Sequence, residues 1–158
     1  MVKVLFICHG NICRSVSAQY IFQNLVNQKG LAKDFWIDSA ATSTEEIGND
    51  IYPPMRSALE QKEIPIGDHR AKQLRRENYE EFDYFVGMDA ENIYYMKKIL
   101  GDDPEQKIYG LMEFTDHPEA FIDDPWYTRR FDFCVEQIQK GCIGFLDYLN
   151  KENRKKLL

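Results

Sequence analysis

Apolar and polar positions alternate along this chain in two periods. Val2, Val4, Leu5, Phe6 and Ile7 form a short apolar run without helical spacing, the pattern of a strand covered on both faces. Ala18, Ile21, Phe22 and Leu25 then recur at i, i+3, i+4 and i+7, one face of a helix. Residues 8–15 are therefore the loop between the first strand and the first helix. The same alternation continues. Phe35, Trp36 and Ile37 predict a second strand that ends in the polar Asp38 and Ser39, and a Ser/Thr/Glu-rich loop follows to Asn49 and Tyr52. Pro53 and Pro54 open a short helix with Met55, Ala58 and Leu59 on one face. Residues 81–86 read as a third strand. Gly87, Met88 and Asp89 turn into a helix with Ile93, Met96 and Leu100 on its buried side and Gly101 as its stop. Residues 107–111 predict a short fourth strand, and a long loop runs on to Tyr127. In the last helix Phe131, Cys134, Val135, Ile138, Cys142, Phe145 and Leu149 share one stripe, which makes Cys134 and Cys142 core residues.

Four strand–helix alternations imply an α/β fold: a four-stranded parallel sheet with helices on both faces, Rossmann-like or flavodoxin-like. There is no repeat, low-complexity stretch or linker, so the 158 residues read as a single domain, residues 1–158, that ends in a basic tail, residues 151–158. In that tail Lys151, Arg154, Lys155 and Lys156 suit the negative end of the last helix better than a partner. Ligands of such sheets bind beyond the carboxyl ends of the strands. The Cys8 loop, Ser39, Asp89 and the Asp124 segment all follow strands and share that edge.

The loop reads Cys8-His9-Gly10-Asn11-Ile12-Cys13-Arg14-Ser15. A helix N-terminus presents unpartnered N–H groups at a positive dipole end, and a loop wrapped around them is an anion site suited to phosphate. Gly10 allows the backbone to turn inward. Arg14 adds a fork of donors that fits a tetrahedral oxyanion. Cys8 lies under the same positive field, which favours its thiolate. Ser15 is placed to donate a hydrogen bond to it, and Asn11 can brace the loop.

Composition narrows the options. Apolar content of 44% and charged content of 29% are ordinary for a globular protein. A net charge of −6 argues against a general nucleic-acid partner. The first apolar run is too short for a signal peptide or a membrane span, so a cytoplasmic protein with no membrane partner and four reduced cysteines is expected. With no Cys-x2-Cys and no His-x3-His, neither a metal site nor a cofactor is indicated.

The loop string resembles that of the low molecular weight protein tyrosine phosphatases. The resemblance extends over nearly the whole chain, through residues 37–40, 68–71, Gly87, Met88, Asp89 and Asn92, and Asp124-Pro125-Trp126-Tyr127, in the family's order. It implies hydrolysis of phosphomonoesters through a phosphocysteine, on phosphorylated proteins or small aryl phosphates. Cys8 would be the nucleophile. Arg14 and the loop from His9 to Ser15, with Ile12 and Cys13 in it, would bind phosphate. It also implies that His69 supports Asn11, that Ser39 supports the loop, and that Cys8 and Cys13 can close a disulfide on oxidation. Val16 stands where the family usually has proline, His9 where an apolar residue is frequent, and Glu45-Glu46 where an aromatic–histidine pair is common.

Thiolate attack on phosphorus calls for an acid for the leaving oxygen and then a base for water. Two Asp-Pro pairs compete. Asp103 precedes a strand and belongs to the far edge of the sheet, whereas Asp124 follows the fourth strand, and the resemblance selects the same residue. Trp126 and Tyr127 can wall a slot for an aryl ring or cap the core of the last helix. His69 reads as a structural hydrogen-bonding residue rather than a base, and Asp89 as a helix cap rather than a catalyst. The rivals are an arsenate reductase, which would need further cysteines where residues 14–133 hold none, a phosphoarginine phosphatase, and a silent phosphate-binding module.

Overall fold

In a computed structural model, residues 1–157 are described, with side chains as far as residue 153. Four parallel strands, β1 (Val2–Cys8), β2 (Phe35–Ala41), β3 (Tyr84–Gly87) and β4 (Ile108–Gly110), form one sheet in the order β2-β1-β3-β4. Strand β1 is central. It pairs with β2 from Val2↔Phe35 to Cys8↔Ala41 and with β3 from Val4↔Tyr84 to Ile7↔Gly87. Successive strand residues face opposite sides, so the apolar run of β1 supplies two cores. Val4 and Phe6 join the larger one, beneath α1 (Arg14–Gln28), α2 (Pro53–Gln61) and α6 (Phe131–Leu157). Leu5 and Ile7 join the other, against Phe85, Met96 and Leu100. Each such residue fully withdrawn from water stabilises the fold by about 1.5–3 kcal/mol.

The rings of Phe6, Phe22 and Phe145 lock β1, α1 and α6 together, at centroid separations of 5.7, 6.2 and 5.3 Å. Helix α6 passes so close to the 3-10 turn Leu111–Phe114 that a Cβ on Gly144 would lie 2.0 Å from the Phe114 carbonyl oxygen. Helix α4 (Ala90–Leu100) starts on an Asp89/Asn92 capping box and stops where Gly101 adopts φ 83°.

The parallel sheet agrees with the strand–helix alternation of the sequence, but several boundaries differ. The third strand begins at Tyr84, not residue 81, because Asn78–Glu81 closes a one-turn helix, α3, that delivers Phe82 to the second core. The segment expected as a long loop contains the 3-10 turn and the one-turn α5 (Pro125–Thr128). Helix α1 starts at Arg14, so Arg14 and Ser15 belong to its first turn. On α4, Ile93 is only half-buried, and Asn92 takes the covered position. The tail from residue 151 continues α6, and the side chains of Arg154, Lys155 and Lys156 lie outside the described residues. No helix among the described residues is long and apolar enough to cross a membrane.

Candidate active site

The edge formed by the carboxyl ends of the strands holds a loop whose polar groups converge on one sulfur. The Asn11 and Ser15 N–H groups lie 3.3 and 3.4 Å from Cys8 Sγ, and the Ser15 hydroxyl lies 3.0 Å from it. Ser15 Oγ also accepts from Asn11 Nδ2 at 2.8 Å, which ties the two loop side chains together. The tight turn is made at Asn11, with φ 61°, not at Gly10; asparagine tolerates that region better than most residues. Gly10 serves clearance instead, because a Cβ there would approach Glu46 Cγ to 3.3 Å.

Asn11 is anchored from every side. Its Nδ2 also donates to Ser39 Oγ at 2.9 Å, its Oδ1 accepts from the Lys72 N–H at 3.2 Å, and His69 Nε2 lies 2.6 Å from its carbonyl oxygen. A carbonyl only accepts, so His69 carries its proton on Nε2. Burial holds the His69 pKa below its ordinary value, against the opposing effect of that hydrogen bond. Ser39 in turn donates to Gln19 Oε1 at 2.5 Å. Ser39 and His69 are thus brought to the loop, although neither touches the sulfur.

Arg14 is 2% exposed. Its Nη1 donates to Asp89 Oδ2 at 2.6 Å and to the Ile122 carbonyl at 2.8 Å, and its Nη2 lies 3.6 Å from Asp124 Oδ2. Burial disfavours its charge, but Cys8, Asp89 and Asp124 outweigh that and raise its pKa. Its Nε is buried with no partner. A buried donor left unmet costs about 1–3 kcal/mol, which identifies Nε as a donor awaiting an acceptor.

These groups floor a cavity of about 120 Å³. Cys8, Cys13 and Arg14 lie at its base, Ile12, Trp126 and Tyr127 along its walls, and His9, Glu45, Glu46 and Asp124 around it. Asp124 caps α5 through Oδ1, which accepts from the Trp126 N–H at 3.0 Å, and Oδ2 is the oxygen near Arg14. Asp103 is occupied elsewhere, accepting from the Tyr79 hydroxyl and the Lys107 and Ile108 N–H groups. A larger cavity of about 460 Å³ between α1 and α6 is lined by no cysteine, serine, threonine or histidine. All four cysteines are free. Burial pushes the Cys13 thiol up and Cys134 to about 12, so both stay protonated near neutrality.

Sequence reasoning missed three features of the site. Asp89 caps α4 but also grips Arg14. The carbonyl of Ile122, held by an N–H bond from Ile122 to the Met88 carbonyl, shares that task. Tyr52 bridges the two halves of the pocket: its N–H donates to the Ile12 carbonyl at 3.0 Å, its ring lies 4.8 Å from Trp126, and its hydroxyl accepts from Arg129 at 3.1 Å. For Asp89 alone a signal was legible, its place just after β3 on the same sheet edge. Trp126 is thereby backed by Tyr52, whereas Tyr127 remains 81% exposed.

Residues 3–155 match the family model for low molecular weight phosphotyrosine protein phosphatase. The chain is 34% identical over 155 residues to the low molecular weight protein-tyrosine-phosphatase YfkJ of Bacillus subtilis, covering 98% of this chain and 99% of the relative. It is 37% identical over 149 residues to the low molecular weight phosphotyrosine protein phosphatase of Gallus gallus, covering 92% and 94%. Among solved structures, YfkJ from Bacillus subtilis superimposes with a TM-score of 0.92 at 33% identity, covering 96% of each chain.

Proposed function

The chain belongs to the low molecular weight phosphotyrosine protein phosphatase family, and from that premise we propose that Cys8, Arg14 and Asp124 carry out its hydrolysis of phosphotyrosine. The observation that supports this most is the buried, unpartnered Arg14 Nε beside the sulfur that the loop donors surround. A phosphate oxygen set in the loop would meet that donor and the remaining N–H groups of the turn.

The steps balance with these residues and water. The Cys8 thiolate attacks phosphorus, an S–P bond forms, and the P–O bond to the aryl group breaks. Asp124, entering as the acid, gives its proton to the departing phenolate oxygen. As a carboxylate it then takes a proton from water, whose oxygen attacks phosphorus. The S–P bond breaks, the thiolate returns, and inorganic phosphate leaves. Arg14 and the loop N–H groups hold the equatorial oxygens in both steps, where charge accumulates. Ile12, Trp126 and Tyr127 flank the aryl ring. The partners in this reading are phosphorylated proteins or small aryl phosphates, and the compartment is the cytoplasm, where free thiols persist.

The test is turnover of p-nitrophenyl phosphate and phosphotyrosine in the presence of a chelator. Activity should survive the chelator and vanish in Cys8→Ser, which should still bind vanadate. Asp124→Asn should lose about 10²–10⁴ in rate on an aryl phosphate with a poor leaving group. Turnover that persists in Cys8→Ser would refute the assignment.

A further inference from the structure

The floor and the mouth of the pocket carry opposite electrostatic instructions. At the floor, loop N–H groups and the unmet Arg14 Nε receive an anion. At the mouth stand Glu45 and Glu46, from the loop after β2, and Glu91, from the first turn of α4, adjoins them through the rim residue His9. His9 lies between two of these acids, with Nε2 3.0 Å from Glu45 Oε2 and Nδ1 3.6 Å from Glu91 Oε1. Even doubly protonated, that ring carries one positive charge against two carboxylates. The Glu46 carboxylate accepts from the neutral Asn49 amide at 2.6 Å, and among the described residues it meets no cation. Three carboxylates and at most one cation leave the mouth with two or more uncompensated negative charges.

The cation at the floor does not offset them. Arg14 already faces Asp89 at 2.6 Å and Asp124 at 3.6 Å. On the α5 side, Arg129 keeps its charge, since the Tyr52 hydroxyl, the Trp126 carbonyl and the rings of Tyr52 and Phe131 that hold it are neutral, but among the described residues it forms no ion pair with the three glutamates. A phosphotyrosine whose ring fills the pocket leaves its polypeptide at the mouth, so its neighbouring side chains meet Glu45, Glu46 and Glu91.

We propose that this rim makes the enzyme select phosphotyrosine flanked by lysine or arginine and reject phosphotyrosine flanked by acidic residues. The inference rests on the phosphotyrosine reading above and adds the chemistry of the substrate's flanks. Exposed charge pairs each shift an equilibrium by about 1.5- to 5-fold, so two or three acting together give a preference of about tenfold in kcat/KM. The preference weakens with salt, because the screening length falls to about 3 Å at 1 M.

The experiment compares kcat/KM for two phosphotyrosine peptides, one with lysines and one with glutamates on both sides of the phosphorylated residue. At low ionic strength the lysine peptide should lead by about tenfold, and the ratio should approach one at high salt. In the Glu45→Gln/Glu46→Gln double variant the ratio should fall to about twofold; taking a ratio cancels any change in intrinsic turnover. Thermal melting reports whether that variant folds. If it does not, Glu91→Gln and the salt series on the unmodified enzyme decide. An acidic peptide cleaved as well as the basic one, or a ratio unmoved by both salt and the substitutions, would overturn the proposal while leaving the phosphatase reading intact. If neither peptide is cleaved, or cleavage survives Cys8→Ser, the phosphatase reading fails first.

Discussion

Replacing Asp89 by asparagine should expose how two tasks share one carboxylate. Oδ1 accepts from the Asn92 N–H at 2.8 Å and caps α4, while Oδ2 accepts from Arg14 Nη1 at 2.6 Å. Asparagine has one oxygen and one amino group. If the oxygen stays on the cap, the amino group meets Arg14 donor to donor. If the amide flips, Arg14 keeps an acceptor and the cap is lost. A lost cap costs about 0.5–2 kcal/mol, and a lost charged hydrogen bond about 1.5–3 kcal/mol. Because Asp89 is a quarter exposed, water replaces part of either loss, and about 1–2 kcal/mol is expected. At about 2–4 °C per kcal/mol for a domain of this size, Tm should fall by about 2–8 °C.

The kinetic consequence is of the same size as the stability loss but has a separate cause. Arg14 would retain the Ile122 carbonyl at 2.8 Å and Asp124 at 3.6 Å. With Asp89 neutralised, its guanidinium leans toward Asp124 and holds that carboxyl in an ion pair, away from the leaving oxygen. Inhibition by inorganic phosphate should weaken and kcat should fall, each by about tenfold, or about 1.4 kcal/mol. The loss should be greater for phenyl phosphate than for p-nitrophenyl phosphate, whose leaving group needs the acid less. Steady-state kinetics on both substrates, phosphate inhibition and thermal melting measure these effects. A variant with phosphate inhibition and kcat within twofold of the parent would refute the view that Asp89 orients Arg14.

Gly144→Ala should lower Tm without changing kcat, because its methyl would fall 2.0 Å from the Phe114 carbonyl and overpacking of this kind costs about 1–3 kcal/mol; an unchanged Tm would mean α6 can slide freely. For Tyr52, phenylalanine keeps the ring behind Trp126 and should stay within about twofold in KM for aryl phosphates. Alanine removes an aromatic contact worth about 0.5–1.5 kcal/mol and should raise KM by about 2- to 10-fold; an alanine variant equal to phenylalanine would show the stack to be idle. His69 links stability to pH. Its folded pKa lies below the ordinary value near 6.5, so the unfolded chain takes up the proton first on acidification. The stability it contributes is complete above about pH 6.5 and is lost as pH falls through the folded value. Tm should therefore drop between pH 7 and 5.5, and less steeply in His69→Gln; equal slopes would count against it.

The sheet was legible because β1 and its flanking helices carry strong, contrasting periods. Val4 and Phe6 alternate with Leu5 and Ile7 onto two faces, and the stripe on the last helix runs over nearly twenty residues. The pieces that escaped are those too short to show a period. Asn78–Glu81 and Pro125–Thr128 are single turns, and Leu111–Phe114 is a 3-10 turn. Four residues cannot distinguish a helical stripe from a strand's alternation, so Phe82 beside Tyr84 and Val86 read as the start of β3. Its burial is real, but it comes from the far side of a turn.

The loop shows the same division at the level of single atoms. Its residue types announce an anion site, since a helix N-terminus, an arginine and a cysteine say so in one dimension. What they cannot announce is how completely the site is braced. Asn11 uses its N–H on Cys8, its amide on Ser15 and Ser39, its side-chain oxygen on Lys72 and its carbonyl on His69. Three of those partners are 28 or more residues away in sequence, and two of the five contacts use backbone atoms of Asn11 that no motif encodes. Arg14 is held in the same manner, by Asp89 from 75 residues away and by a carbonyl from 108. Both Nη1 donors are engaged, Nη2 lies 3.6 Å from Asp124, and Nε is buried without a partner. A site so braced does not have to reorganise when phosphate enters, which is the condition under which fixed donors stabilise developing charge best.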